Sequence, residues 1–292
     1  MGQVVVTGVS GQLGHDVAAE LMRRGTSVIG ATRREMPLTE AASCAAFVET
    51  VRPETVIHCG AYTAVDQAEE EPALCHKINA EATGAIAVAC HRVGAKLIYI
   101  STDYVFPGDG DIPYEIDAAT GPRNVYGASK LAGEEAVKAA LAAYFIVRTS
   151  WVFGGHGKNF IRTMLRLAKS QKQLRVVADQ IGSPTYTVDL ARLLADMAES
   201  QKFGVYHATN EGFCSWYDLA AEVFRQRGLS VAAAPVLSAA YSTKARRPHN
   251  SRLSKRSLDV AGFDRLPPWP DAVRRYLAEL VAMGGIGVEI NV

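Results

Sequence analysis

A run of valines near the start of the chain leads straight into spaced glycines, and few folds accept that succession. Gln3-Val4-Val5-Val6-Thr7 is short, apolar and β-branched, the pattern of a strand buried on both faces. Gly8-Val9-Ser10-Gly11-Gln12-Leu13-Gly14 comes next, and Asp16 to Met22 reads as a helix. Strand, G-x-x-G-x-x-G loop and helix, in that order, suit a dinucleotide site. Gly8 allows a tight turn, Gly11 lets backbone approach a pyrophosphate seated on the helix N-terminus, and Gly14 lets helix and strand pack closely. Gly8, Gly11 and Gly14, with Ser10 in the loop between them, are therefore expected to hold a cofactor.

The theme repeats. Ser27–Ala31, Thr55–His58, Lys96–Ile100 and Tyr144–Arg148 read as further strands, with a long helical stretch from Leu74 to His91 among the connections. Strands alternating with helices predict an α/β fold, a Rossmann-type doubly wound parallel sheet. Beyond residue 150 the alternation loosens. Helices are expected at Phe160–Lys169, at Val188–Glu199 and from a Ser215 cap to Arg227, with strands at Leu174–Val177 and Gly204–Ala208. The expected organisation is an NAD(P)-binding domain over 1–150, to which some later segments return, and a smaller α/β substrate domain over 151–283. Gly284–Val292, glycine-rich and without periodicity, is expected to be a disordered tail.

Ligands of such sheets bind outside the carboxyl ends of the strands. The second strand ends in Thr32-Arg33-Arg34, where an NAD-preferring site tends to carry an acid. Two guanidiniums pair well with a 2′-phosphate, so NADPH is expected, with NADH the alternative. The third strand runs into small residues around Ala61-Tyr62-Thr63, and the fourth ends in Ser101-Thr102-Asp103-Tyr104. After a Gly-, Pro- and Asp-rich loop, Tyr126-Gly127-Ala128-Ser129-Lys130 opens a helix. Its Tyr126 and Lys130 share a face. A phenol titrates near pH ~10, and an ammonium beside it lowers that value, which makes the tyrosine a usable general acid or base. A hydroxyl at a strand end, Thr102, can donate to a carbonyl oxygen that gains charge in the transition state.

Composition narrows the partners. A formal net charge of +1 gives no bulk attraction to nucleic acid or to an anionic membrane. Five scattered cysteines with no C-x-x-C pair argue against a disulfide framework or a zinc knuckle and suit a reducing cytoplasm. There is no apolar run of membrane-spanning length and no signal-peptide pattern. His76 and His91 are expected on solvated faces. Lys244-Ala245-Arg246-Arg247-Pro248 is a basic loop suited to gripping a phosphorylated ligand.

Taken together, these stretches resemble the extended short-chain dehydrogenase/reductase superfamily. Ala61-Tyr62-Thr63-Ala64-Val65-Asp66, Ile100-Ser101-Thr102-Asp103-Tyr104-Val105-Phe106, Asn124-Val125-Tyr126-Gly127, Arg148-Thr149-Ser150-Trp151, Asp179-Gln180-Ile181-Gly182-Ser183-Pro184-Thr185 and Arg247-Pro248 further resemble the dTDP-4-dehydrorhamnose reductases, from residue 3 to about 280. The resemblance implies reduction of the 4-keto group of dTDP-4-dehydro-L-rhamnose. It implies a catalytic set of Thr102, Tyr126 and Lys130, with Lys130 also holding the nicotinamide ribose. The implied cofactor contacts are Gly11, Gln12 and Leu13 at the pyrophosphate, Thr32 and Arg33 at the end of the second strand, and Ala61, Tyr62 and Thr63 further along. Asp103, Tyr104 and Trp151 would meet the sugar, with Gln180 and Arg247 toward the nucleotide. The chain departs from many members at Thr32, where they have an acid, and at Pro37, where they have aspartate. Around Leu38 this leaves backbone contacts to the adenine side. Some members pair through a magnesium site between subunits. His15-Asp16 does not reproduce the carboxylate such a site needs, so no metal is expected. A monomer or homodimer is expected, with no nucleic-acid or membrane partner. Two rival readings stand beside this one: an NADP-binding regulatory subunit resembling that of methionine adenosyltransferase, and a reductase of another nucleotide-linked 4-keto sugar.

Overall fold

β1 (Val4–Thr7), β2 (Val28–Ala31), β3 (Thr55–His58), β4 (Lys96–Thr102) and β5 (Tyr144–Thr149) fall where the apolar runs predict them. They belong to a computed structural model that describes residues 2–284, so the expected tail lies, apart from Gly284, outside the described residues. A sixth strand, Gly204–His207, joins them from much later in the chain. All pair in parallel, in the order Gly204–His207, β5, β4, β3, β1, β2. The chain order reverses at β1 and β3, which opens a crevice at their carboxyl ends.

Both faces of the sheet are covered because its strands are apolar on both. Val4 and Val6 point into one core with the helices Gln12–Arg23 and Thr187–Glu199. Val5, Val56 and Leu97 point into the other, with the helices Ala41–Val51, Ala82–Val93 and Val125–Ala140. This is the doubly wound architecture expected. Phe153, Ile161, Leu219, Val223 and Tyr276 form a third cluster under the helices Phe160–Ala168, Trp216–Gln226 and Trp269–Ala282. In this later region Gln173–Val177 pairs in parallel with Ala232–Val236. Ile181–Gly182 lies between Cys214–Ser215 and Asn250–Ser251. Ser215 caps its helix as expected, in a reciprocal box with Asp218.

One connection differs from its expected form. The stretch from Leu74 to His91 is not one regular helix, because a π turn at Lys77–Glu81 separates Pro72–His76 from Ala82–Val93. Such a turn often marks a functional position. Here it carries Asn79, whose side chain accepts from the Tyr62 N–H at 2.8 Å and donates to Ser129 Oγ at 2.9 Å. His76 and His91 are exposed, as expected.

Candidate active site

The glycine loop has the geometry its spacing implies. Gly8 lies at φ 68°, a left-handed conformation, and its N–H donates to the Ala31 carbonyl at 2.9 Å. A Cβ on Gly14 would stand 2.3 Å from the Gly8 carbonyl oxygen, and one on Gly8 would stand 2.9 Å from Gly60 backbone. Gly11 is the N-cap of Gln12–Arg23, and no side chain caps that terminus. Its first-turn N–H groups and the positive end of the helix dipole therefore face the crevice, which suits a pyrophosphate. The Gln12 side chain is engaged elsewhere: its Oε1 accepts from Gly154 N at 3.0 Å and Asn159 Nδ2 at 2.9 Å, so its backbone is what remains for a cofactor. Ser10 is exposed at the loop and Leu13 is buried behind it. Leu38 overhangs Gly60, where a Cβ would lie 2.9 Å from its Cδ1.

At the end of β2, Arg33 and Arg34 are exposed, as a phosphate-reading pair requires. Sequence reading missed the carboxylate beside them. Glu35 folds back to accept from both the N–H and the hydroxyl of Thr32, which holds its carboxyl below the usual range. Further along, Asn79 fastens Tyr62, and the Tyr62 hydroxyl donates to Glu71 at 2.7 Å. Thr63 is exposed beside it and Ala61 half-buried.

Thr102 and Tyr126 arrive from different elements. Thr102 ends β4, accepts from the Tyr104 N–H at 3.2 Å and donates to Asp103 Oδ1 at 3.0 Å. Tyr126 stands in the first turn of Val125–Ala140, a helix capped by Asn124, whose Oδ1 accepts from the Gly127 N–H at 2.7 Å. The residue after Tyr126 must be small, since a Cβ on Gly127 would meet the Tyr104 carbonyl oxygen at 2.2 Å. The tyrosine thereby comes to rest with its ring edge-on to Tyr104, centroids 5.5 Å apart, and its phenol on the side of the Thr102 hydroxyl.

The expected effect of Lys130 on Tyr126 is corrected by the geometry. Burial pushes the Tyr126 phenol well above its ordinary pKa; the Thr102 hydroxyl opposes this, and Asp103 and Tyr104 add to it. Lys130 does not offset that burial, because its ammonium is turned to the sheet. Its Nζ donates to the Ile100 carbonyl at 2.6 Å and lies 4.1 Å from the centre of the Tyr99 ring. Burial also drives Lys130 itself down to about 7.

On the other wall, Asp103 is buried and its carboxyl is pushed up to about 6 by desolvation. Trp151 adopts φ 49°, a strained conformation for a bulky residue, and stacks on Trp216 at 3.7 Å. A Cβ on Gly182 would lie 3.0 Å from the Trp151 ring, and Gln180 is buried two residues before it. The basic loop crosses to the other half of the cleft. Arg247 donates to Asp66 at 2.6 Å and lines the same pocket as Tyr104, and the Arg246 carbonyl accepts from Asn124 at 2.8 Å. Thr102, Asp103, Tyr104 and Tyr126 are thus gathered together, with Arg247 in the pocket beside Tyr104, while Trp151 and Gln180 flank Gly182. No spacing pointed to His156, which the fold lays on His15 with ring centroids 3.5 Å apart. With Asp16 their ligand atoms lie within 4.8 Å of one another, although Asp16 is already bonded to His15 and to the Thr187 hydroxyl.

The sequence matches the RmlD substrate binding domain family over residues 2–282. It is 42% identical over 288 residues to a dTDP-4-dehydrorhamnose reductase of Streptomyces griseus, covering 96% of this chain and 95% of that protein. It is 41% identical over 279 residues to the spore coat polysaccharide biosynthesis protein SpsK of Bacillus subtilis, covering 96% and 98%. Among solved structures, dTDP-4-dehydrorhamnose reductase of Bacillus anthracis in complex with NADP matches with a TM-score of 0.93 at 41% identity, covering 96% of this chain and all of that one.

Proposed function

The chain belongs to the RmlD substrate binding domain family, and from that premise we propose how its residues reduce a keto sugar. It is an NADPH-dependent reductase that converts the 4-keto group of dTDP-4-dehydro-L-rhamnose to the hydroxyl of dTDP-L-rhamnose. The observation that carries the assignment of roles is the approach of the Thr102 hydroxyl and the Tyr126 phenol beside an uncapped helix N-terminus.

The residues fit the cofactor: the close approach of Gly8 and Gly14 and the free first-turn N–H groups after Gly11 make a cradle that side chains would fill. Gly8, Ser10, Gly11, Gln12, Leu13 and Gly14 would hold the pyrophosphate end, Thr32, Arg33 and Leu38 the adenosine end, and Ala61, Tyr62, Thr63 and Lys130 the rest. Bound there, NADPH supplies the hydride that C4 receives. Tyr126 gives its phenolic proton to the C4 oxygen, which closes the balance to an alcohol. A tyrosine kept protonated by burial is suited to that task, because its proton is in place at neutral pH and an alkoxide is the stronger base. Thr102 turns its single hydroxyl hydrogen from Asp103 Oδ1 to the same oxygen and stabilises its developing charge. Lys130, one turn on and anchored to the Ile100 carbonyl, would hold the nicotinamide ribose. Asp103, Tyr104 and Trp151 orient the sugar, and Gln180 and Arg247 the nucleotide end.

In this reading residues 1–150 mainly serve the cofactor and 151–283 the nucleotide sugar. The enzyme works in the cytoplasm as a monomer or homodimer, without a nucleic-acid partner. Five free cysteines support a reducing compartment, and among the described residues no helix is long and apolar enough to cross a membrane. The test is NADPH oxidation that depends on dTDP-4-dehydro-L-rhamnose generated in place, with dTDP-L-rhamnose identified as product. Tight NADPH binding without oxidation would favour another 4-keto sugar, or a regulatory subunit if a stoichiometric synthetase partner were captured.

A further inference from the structure

Two buried oxygens on the sugar side of the cleft have nothing to bond. Asp103 is 3% exposed and Ser251 is 1% exposed. Asp103 Oδ1 is occupied by the Thr102 hydroxyl, whereas Asp103 Oδ2 and Ser251 Oγ lack any hydrogen-bond partner. Ser251 stands close enough to stabilise the Asp103 carboxylate, yet no bond of normal geometry closes between them. Its position is fixed by the sheet: Asn250–Ser251 pairs in parallel with Ile181–Gly182. A Cβ on Gly182 would lie 2.9 Å from the Ser251 Cβ and 3.0 Å from the Trp151 ring. Ser251 therefore stands next to Trp151 and faces Asp103.

Buried polar groups are ordinarily paired, and two orphans facing one another are suited to a third group that pairs both. We propose that Asp103 and Ser251 together read the hydroxyl on the sugar carbon next to the reacting carbonyl, and so make Ser251 a specificity-determining residue. This rests on the reductase reading above. The chemistry of the two oxygens selects the group. A carboxylate oxygen only accepts, while a serine hydroxyl can donate, so together they complement an alcohol that donates to one and accepts from the other. The position selects the carbon. Thr102, which meets the C4 oxygen in that reading, lies 3.0 Å from Oδ1 of the same carboxylate, so Oδ2 lies one carboxylate width further on. The two carbons flanking C4 are C5, which carries hydrogen, a methyl and the ring oxygen, and C3, which carries a hydroxyl. Only C3 offers a donor.

The experiment compares kcat/KM of the wild type and Ser251→Ala on dTDP-4-dehydro-L-rhamnose and on its 3-deoxy counterpart. A site built to bond a hydroxyl rejects an analogue that lacks it, so the wild type is expected to prefer the hydroxylated sugar by about a hundredfold or more. Ser251→Ala is expected to lose about tenfold on the hydroxylated sugar, chiefly in KM, and to stay within about twofold on the 3-deoxy sugar. Ser251→Cys, which keeps the size and only a weak donor, should fall between and serves if the alanine variant does not fold. Equal losses on both sugars would mean a structural role and overturn the proposal. So would a wild type that uses both sugars equally well. A wild type that binds NADPH but reduces neither sugar would overturn the reductase reading itself, and this proposal with it.

Discussion

The Glu134 carboxylate holds the Arg148 guanidinium through two hydrogen bonds, 2.9 Å from Nε and 2.7 Å from Nη2, where neither side chain reaches solvent. Ser101 Oγ donates to the same carboxylate at 2.5 Å, and Arg148 Nη1 donates to the Ile116 carbonyl at 3.1 Å. The pair fastens the helix bearing Tyr126 and Lys130 to β4, to β5 and to the loop before the helix.

Removing one partner strands the other as a buried charge. Glu134→Ala is therefore expected to cost about 3–5 kcal/mol of stability, read from the denaturant midpoint. Replacing both by apolar residues of similar volume should cost less than the two single changes together. A loss near zero for Glu134→Ala would show that the pair is solvated.

Asp103 gives a pH signature. Its carboxyl is raised from 3.8 to about 6 by burial, so the folded protein keeps this proton where the unfolded chain loses it. The stability from that retained proton is full below about pH 3.8 and is lost as pH rises through about 6. The ability to accept a bond from the sugar runs the opposite way. kcat/KM for the sugar is expected to rise with pH through about 6, and Asp103→Asn should abolish that limb. An unchanged limb in the variant would assign it to another group.

Lys130 gives a signature of the other sign. Desolvation lowers it from 10.5 to about 7, so between those values the unfolded chain binds a proton that the folded chain does not. Stability of the cofactor-free protein should therefore climb with pH from about 7 to about 10.5, and the climb should be weaker in Lys130→Met. Identical slopes would mean that Lys130 is not desolvated.

Glu35 stands where a 2′-phosphate would feel its charge. Glu35→Gln is expected to lower KM for NADPH several-fold while leaving that for NADH the same or higher. Arg33→Ala with Arg34→Ala should raise KM for NADPH more than for NADH. Parallel shifts for both cofactors would place the 2′-phosphate elsewhere.

Local pattern made part of this molecule legible. Val4-Val5-Val6 declares a doubly covered strand, and the spacing of Gly8, Gly11 and Gly14 declares the turn and close packing that their missing Cβ atoms permit. Ser215 marks a helix start, whereas the Asn124 cap before Tyr126 emerges only in the structure. What stayed hidden depends on contacts distant in sequence. Spacing alone put Lys130 beside the Tyr126 phenol, but the open Ile100 carbonyl and the Tyr99 face draw it to the sheet. Glu35 is an unremarkable acid until Thr32 turns two donors toward it. Asn79 matters only because a π turn aims it at Tyr62 and Ser129. The Thr187–Glu199 helix reads as helix from its pattern, yet nothing local says that it covers the first sheet rather than the later cluster. The helices Arg256–Ala261 and Trp269–Ala282 lie in stretches where no element was predicted.

The most direct test of the central claim is turnover by Tyr126→Phe, measured beside its affinity for NADPH. The phenol is the only proton donor assigned to the C4 oxygen, and its removal leaves ring packing against Tyr104 in place. We expect kcat to fall by about 10²–10⁴-fold with NADPH affinity nearly unchanged. A variant that reduces dTDP-4-dehydro-L-rhamnose at the wild-type rate would contradict the account.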